Sequence, residues 1–84
     1  MFVLSVERSA EKELKKLPSI YFPKVIAKIQ ELSTDPYPKG CKKLINNENF
    51  WRIRIGNYRV IYEVIQLEKR INVYKIRHRK DVYK

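Results

Sequence analysis

At 84 residues, with 44% hydrophobic side chains, six Tyr, three Phe and one Trp, the chain has the make-up of one small folded domain over residues 1–84, not of a disordered segment. Nineteen Lys and Arg against nine Asp and Glu leave a formal charge of +10, a field that draws nucleic acid first, with an anionic membrane or an acidic protein as the other candidates. The single Cys41 and the single His78 exclude a disulfide within the chain and give no ligand set for a metal, so no cofactor is expected.

The chain opens on Met1-Phe2-Val3-Leu4-Ser5, too short for a signal-peptide core and cut off by Glu7. No apolar run approaches the ~20 residues of a membrane span, so the expectation is a soluble cytoplasmic protein with no membrane partner. Phe2 to Val6 reads as a short strand. From Glu7 the period changes: Ala10, Leu14 and Leu17 fall on one side of a helix that Pro18 stops. Ser19 is placed to cap a second helix, with Pro23 tolerated in its first turn and Phe22, Val25, Ile26, Ile29 and Leu32 as its apolar stripe. Ser33-Thr34-Asp35-Pro36 ends it. The two segments form a helical hairpin with one apolar side.

Asp35 to Asn49 has no usable period and reads as a loop with a brief ordered turn near Leu44. Phe50 to Ile55 alternates, Gly56-Asn57 signals a tight hairpin, and Tyr58 to Gln66 alternates again. After a turn at Leu67-Glu68-Lys69 a further strand runs from Arg70 to about Arg77. The order β-α-α-loop-β-β-β defines an α+β fold, with the N-terminal strand and helical hairpin on one face of a small antiparallel sheet.

A two-residue turn at Gly56-Asn57 pairs Ile55 with Tyr58, Arg54 with Arg59, Ile53 with Val60 and Arg52 with Ile61. Faces alternate along a strand. One face therefore takes Trp51, Ile53, Ile55, Tyr58, Val60, Tyr62 and Val64, and the other takes Arg52, Arg54 and Arg59. If Gln66 pairs with Arg70, Arg77 stands opposite Arg59 and Lys75 opposite Ile61. A one-residue slip would send Arg77 to the apolar face without a partner. The same register leaves Ile65, Ile71 and Val73 as an apolar patch at the far end of the basic face, a candidate dock for a partner segment. Four arginines meeting across three strands repel; a site for phosphate oxygens accounts for them, the alternative being a solvated basic sheet face that Glu48 or Glu63 partly neutralises. Any one of them alone reads as a solvated residue.

Other side chains carry weaker signals. Lys42 and Lys43, with Lys39, either steer phosphates or line a solvated loop. Lys75, Arg79 and Lys80 extend the basic surface and count as RNA-binding candidates. His78 falls by alternation on the apolar face, where it is a partly buried structural histidine or, alternatively, an acid or base. Tyr83 either stacks on a base or anchors the terminal segment. Cys41 reads as inert. Glu48 and Glu63 are the acids near enough in sequence to neutralise part of the arginine set.

The segments Ala10-Glu11-Lys12-Glu13-Leu14-Lys15-Lys16-Leu17-Pro18, Lys43-Leu44, Trp51-Arg52-Ile53-Arg54-Ile55-Gly56-Asn57-Tyr58-Arg59-Val60-Ile61-Tyr62 and His78-Arg79-Lys80-Asp81-Val82-Tyr83 resemble the RelE/ParE superfamily of toxins from toxin–antitoxin pairs, most closely its RelE branch. The resemblance implies an endoribonuclease that cleaves messenger RNA in the ribosomal A site and is held inactive by a cognate antitoxin. It also implies attack by the RNA's own 2′-hydroxyl, with the family's functional positions falling on Arg52, Arg54, Arg59, Arg77 and Tyr83. The type member has lysines where this chain has Arg52 and Arg54. Arginine does not release its proton, so a general base is sought instead in Tyr83, His78 or Glu48. Two rival readings remain: a ParE-like poison of DNA gyrase, and a catalytically silent member that binds RNA or represses its own operon.

Overall fold

The computed structural model describes residues 1–45 and 48–82, with side chains described through Lys80. Chain order is β1 (Val3–Val6), α1 (Arg8–Lys15), α2 (Phe22–Glu31), β2 (Lys42–Lys43), β3 (Phe50–Ile55), β4 (Tyr58–Ile65), a 3-10 turn (Gln66–Glu68), β5 (Arg70–His78) and α3 (Arg79–Val82). The helical hairpin carries the chain from β1 at one edge to β2 at the other, and β3, β4 and β5 then return by hairpins in the order β1-β5-β4-β3-β2.

The α+β architecture is the expected one, with two differences. The sheet is mixed: β2 to β5 are antiparallel, but β1 joins as an edge strand parallel to β5, Val3 facing Arg70 and Val6 facing Val73. A strand and its parallel neighbour need a long connection between them, and here the whole chain from α1 to β4 supplies it. The expected loop also holds a strand, because Lys42 and Lys43 pair with Arg52 and Trp51. The two residues of this strand, Lys42 and Lys43, are too few to show a period.

Helix starts also differ from the sequence reading. Ser19 does not cap α2; its N-cap is Tyr21, and the Pro18 carbonyl accepts the Tyr21 and Phe22 amides at 2.9 and 3.1 Å. Pro18 thus ends one helix and closes the turn that starts the next, leaving Ser19 outside. Phe22, at the head of the expected stripe, is 43% exposed, whereas Val25, Ile29 and Leu32 are buried. They join Ala10 and Leu14 of α1 and Ile53, Ile55, Val60, Tyr62, Val64, Ile71, Val73 and Ile76 of the sheet in one core.

Two of these residues, Ile71 and Val73, overturn the expected apolar patch. Ile71 and Val73 are fully buried and cannot dock a partner. Their position comes from a register shift in β5. Near the β3–β4 turn the pairs are those expected, Arg59 with Arg77 and Ile61 with Lys75. Beyond Ile61 the register moves by one, Tyr62 facing Val73 and Ile65, not Gln66, facing Arg70. Tyr74 is the extra residue of a β-bulge. Along β5 the apolar residues fall at 71 and 73 and then at 76, so no single two-residue period serves them all. Burying Ile71 and Val73 is worth about 1.5–3 kcal/mol each, and a bulge secures it while keeping Arg77 on the basic side. The slip that would have buried Arg77 does occur, but only in the half of the strand that does not contain it.

Candidate functional site

The sheet face turned away from the helices is built in rows. Arg54, Arg59 and Arg77 stand opposite one another on β3, β4 and β5. Two residues along, Lys42, Arg52, Ile61 and Lys75 make a second row across β2 to β5. Cross-strand neighbours have Cα atoms roughly 4.5–5.5 Å apart, and successive rows on one face lie about 7 Å apart along the strand. Like charges placed directly opposite destabilise a sheet. The fold therefore gathers six cationic residues at a cost to itself. Glu63 is the acid on the same face, one row further on, paired with Phe50 and Asn72.

At the hairpin end the face closes into a cleft of about 190 Å³ lined by Arg54, Gly56, Asn57, Tyr58, Arg59 and Arg79. Gly56 has φ +60°, the left-handed conformation the two-residue turn requires, and a Cβ there would stand 2.9 Å from Tyr21 Cε1. The Asn57 carbonyl accepts the Arg79 amide at 2.6 Å, fastening the start of α3 to the turn. Three guanidiniums thus border one small polar cleft, an arrangement suited to a phosphate with several donors on its oxygens.

Arg77 has a partner that the sequence reading lacked. β1 pairs with β5 only as far as Val73, and α1 runs beside the remainder of β5. From α1 one oxygen of Glu13 accepts the Ile76 amide at 3.1 Å and the other pairs with the Arg77 guanidinium. One carboxylate therefore satisfies the open edge of β5 and holds Arg77 at the margin of the arginine row.

His78 lies on the helix side of the sheet. It faces Tyr58 on β4, the two rings meet edge-on with centroids 5.0 Å apart, and its Nδ1 accepts the Lys80 amide at 3.1 Å. A role in proton transfer at the arginine row would require the ring to leave this packing. With Tyr58, Glu13, Lys16, Leu17, Ile76 and Lys80 it lines an open groove on that side. Lys42 belongs to the basic face through its pairing with Arg52, whereas Lys43 pairs with Trp51 on the other alternation. Cys41 packs half-buried beside the core. Tyr83 lies outside the described residues. Among those described, no group of three or more His, Cys, Asp or Glu is arranged to hold a metal, and no helix is long and apolar enough to cross a membrane.

A sequence model of the family described as the ParE toxin of type II toxin–antitoxin systems, parDE, matches residues 4–83. The chain belongs to the RelE/ParE family of type II toxins. It is 34% identical to the candidate toxin RelE1 of Methanocaldococcus jannaschii over 86 residues, which cover 99% of this chain and 96% of the relative. Its fold is that of RelE. The toxin in the archaeal RelE–RelB complex of Pyrococcus horikoshii superposes with a TM-score of 0.83 at 26% identity, over 93% of this chain and 94% of the other. The isolated Escherichia coli RelE toxin gives 0.83 at 25% identity, over 99% and 92%.

In this RelE/ParE toxin the hairpin register carried most of the site: Arg52, Arg54, Arg59 and Arg77 share a face, as the alternation requires. Sequence reasoning missed Glu13, whose helical position gives no sign of the strand edge it serves. It also missed the outward turn of Tyr74, which follows from the bulge.

Proposed function

We propose that this toxin cleaves messenger RNA in the cytoplasm, in the ribosomal A site, by attack of the substrate's own 2′-hydroxyl. The 2′-hydroxyl gives up its proton to a base as its oxygen bonds to the adjacent phosphorus, the bond from phosphorus to the 5′-oxygen breaks, and that oxygen leaves with a proton supplied by the same base or by water. The products are a 2′,3′-cyclic phosphate and a 5′-hydroxyl. Arg59 and Arg54, bordering the cleft, stabilise the charge that grows on the phosphorane oxygens, the kind of preorganised electrostatics that acts where water is excluded. Arg52 and Lys42 hold the next phosphate, and Arg77 stands toward the leaving oxygen. Lys75, Arg79 and Lys80 extend the RNA path, and Tyr83 is assigned to a neighbouring base. The observation that carries this reading is the Arg54–Arg59–Arg77 row next to a cleft that also includes Arg79. A cognate antitoxin holds the protein inactive, a partnership supported by the complex of the Pyrococcus horikoshii RelE with RelB.

The family description also names ParE, and this favours a second reading in which the toxin poisons DNA gyrase and cuts nothing. Induced expression with mapping of messenger RNA ends separates the two. The ribonuclease reading expects new 5′ ends inside coding regions, lost in Arg59→Ala and Arg77→Ala. Growth arrest with filamentation, DNA damage and no new ends would establish the gyrase reading. A folded protein without arrest would be a silent binder.

A further inference from the structure

The bulge that rescues the core has a second effect: it turns an aromatic ring out onto the basic face. Without it, Tyr74 would stand opposite Tyr62 and point into the core. With it, Tyr74 and Lys75 share the outer side, Tyr74 is 40% exposed, and the Lys75 ammonium lies 5.2 Å from the centre of its ring. Phe50, on the same face of β3 as Arg52 and Arg54, reaches across β4 to meet Tyr74 edge-on, with ring centroids 5.4 Å apart and planes at 77°. Aromatic side chains half open to water beside a row of cations are the two ingredients of a single-strand nucleic-acid surface, π-faces for the bases and charges for the backbone. Bulges near sites commonly serve to re-aim one side chain.

We propose that Phe50 and Tyr74 form a base-stacking subsite for a nucleotide flanking the one whose phosphate the arginines hold, with Lys75 tracking the backbone between them. Tyr74 is three residues from Arg77 along β5, roughly 10 Å, within reach of a flanking nucleotide and too far to touch the reacting phosphate. Charge complementarity selects the occupant: the flanking residues on this face are Arg52, Lys42 and Lys75 against the acid Glu63 in the row of Phe50, a net positive set that suits a polyanion. This rests on the ribonuclease reading and adds the element that would make cleavage sensitive to bases beyond the scissile step.

The test uses a short single-stranded 2′-O-methyl RNA, which 2′-hydroxyl attack cannot cut, carrying 5-iodouridine at one position at a time. On irradiation, the subsite predicts a crosslink to Tyr74 or Phe50 from one position. Tyr74→Ala is expected to weaken binding by about 5- to 150-fold, the equivalent of losing one base–aromatic stack. Tyr74→Phe keeps the ring and should bind as the parent does. Thermal unfolding confirms that each variant is folded; should Tyr74→Ala not fold, Tyr74→Leu replaces it. If no position crosslinks to either ring, or if removing the Tyr74 ring leaves affinity unchanged, the subsite is wrong even where the parent protein cleaves unmodified RNA. If the parent neither binds nor cleaves RNA, the subsite and the ribonuclease reading fall together.

Discussion

Single side chains do two jobs in this molecule, and Glu13 is the clearest case. Its carboxylate satisfies the Ile76 amide at the unpaired edge of β5 and neutralises Arg77. Glu13→Ala removes both, and chemical denaturation should show a loss of about 1.5–3 kcal/mol, the range for hydrogen bonds to charged groups. Glu13→Gln keeps an acceptor for the amide and should lose less; equal losses would mean that the hydrogen bond to the Ile76 amide contributes nothing beyond the ion pair. Tyr62 is the buried counterpart. Its hydroxyl donates to the Pro36 carbonyl at 2.8 Å, and burial first, then neighbouring Cys41, pushes its ionisation above the usual tyrosine range. The folded phenol therefore keeps its proton where the unfolded one begins to lose it. The stability from Tyr62 is complete below pH ~10 and declines as pH rises beyond that value. Tyr62→Phe should cost about 1 kcal/mol at neutral pH, and the gap to the parent in denaturant midpoint should narrow above pH ~10. A gap that stays constant with pH would contradict this account.

Among the elements, β5 shows what was legible in the sequence and what was not. The β3–β4 hairpin could be read because Gly56-Asn57 fixes the turn, and one turn fixes every pair after it. The Arg59–Arg77 pairing was also reached, although through a turn one residue from the real one. A bulge downstream compensates for the difference. The clue lay in β5 itself, where the alternation Ile71, Val73 breaks phase before Ile76. A uniform two-residue period cannot register such a break, and so Ile71 and Val73 were assigned to the wrong face. β2 escaped notice because two residues carry no period, and the parallel place of β1 because no local signal names a strand's partner. The bulge makes a sharp prediction: deleting Tyr74 joins Val73 to Lys75 in one continuous register that keeps Ile71, Val73 and Ile76 inward and Arg77 outward. Cooperative unfolding is expected to persist in calorimetry. A deletion variant that no longer unfolds cooperatively would show that the fold needs the bulge itself and would contradict this register.

At the scale of the whole molecule, helices cover one side of the sheet and the rows of cations occupy the other, so a formal charge of +10 is focused on one surface. Binding of single-stranded RNA should therefore weaken steeply with salt, by about 0.7 in log–log slope for each phosphate neutralised. Arg59→Ala should reduce that slope by about one such step in a salt titration, whereas Lys12→Ala, on the exposed side of α1, should leave it unchanged. On the ribonuclease reading proposed above, a polyanion site this open acts whenever it is uncovered, which is the reason such a toxin would be held by an antitoxin. The most direct test of the central claim is chemical. Purified toxin is incubated with ribosomes programmed with a defined messenger RNA, and the ends of the fragments are identified. Attack by the 2′-hydroxyl predicts an upstream fragment ending in a 2′,3′-cyclic phosphate and a downstream fragment beginning with a 5′-hydroxyl, both reduced about 10²–10³-fold in Arg59→Ala. Fragments beginning with a 5′-phosphate, or equal cutting by Arg59→Ala, would contradict it.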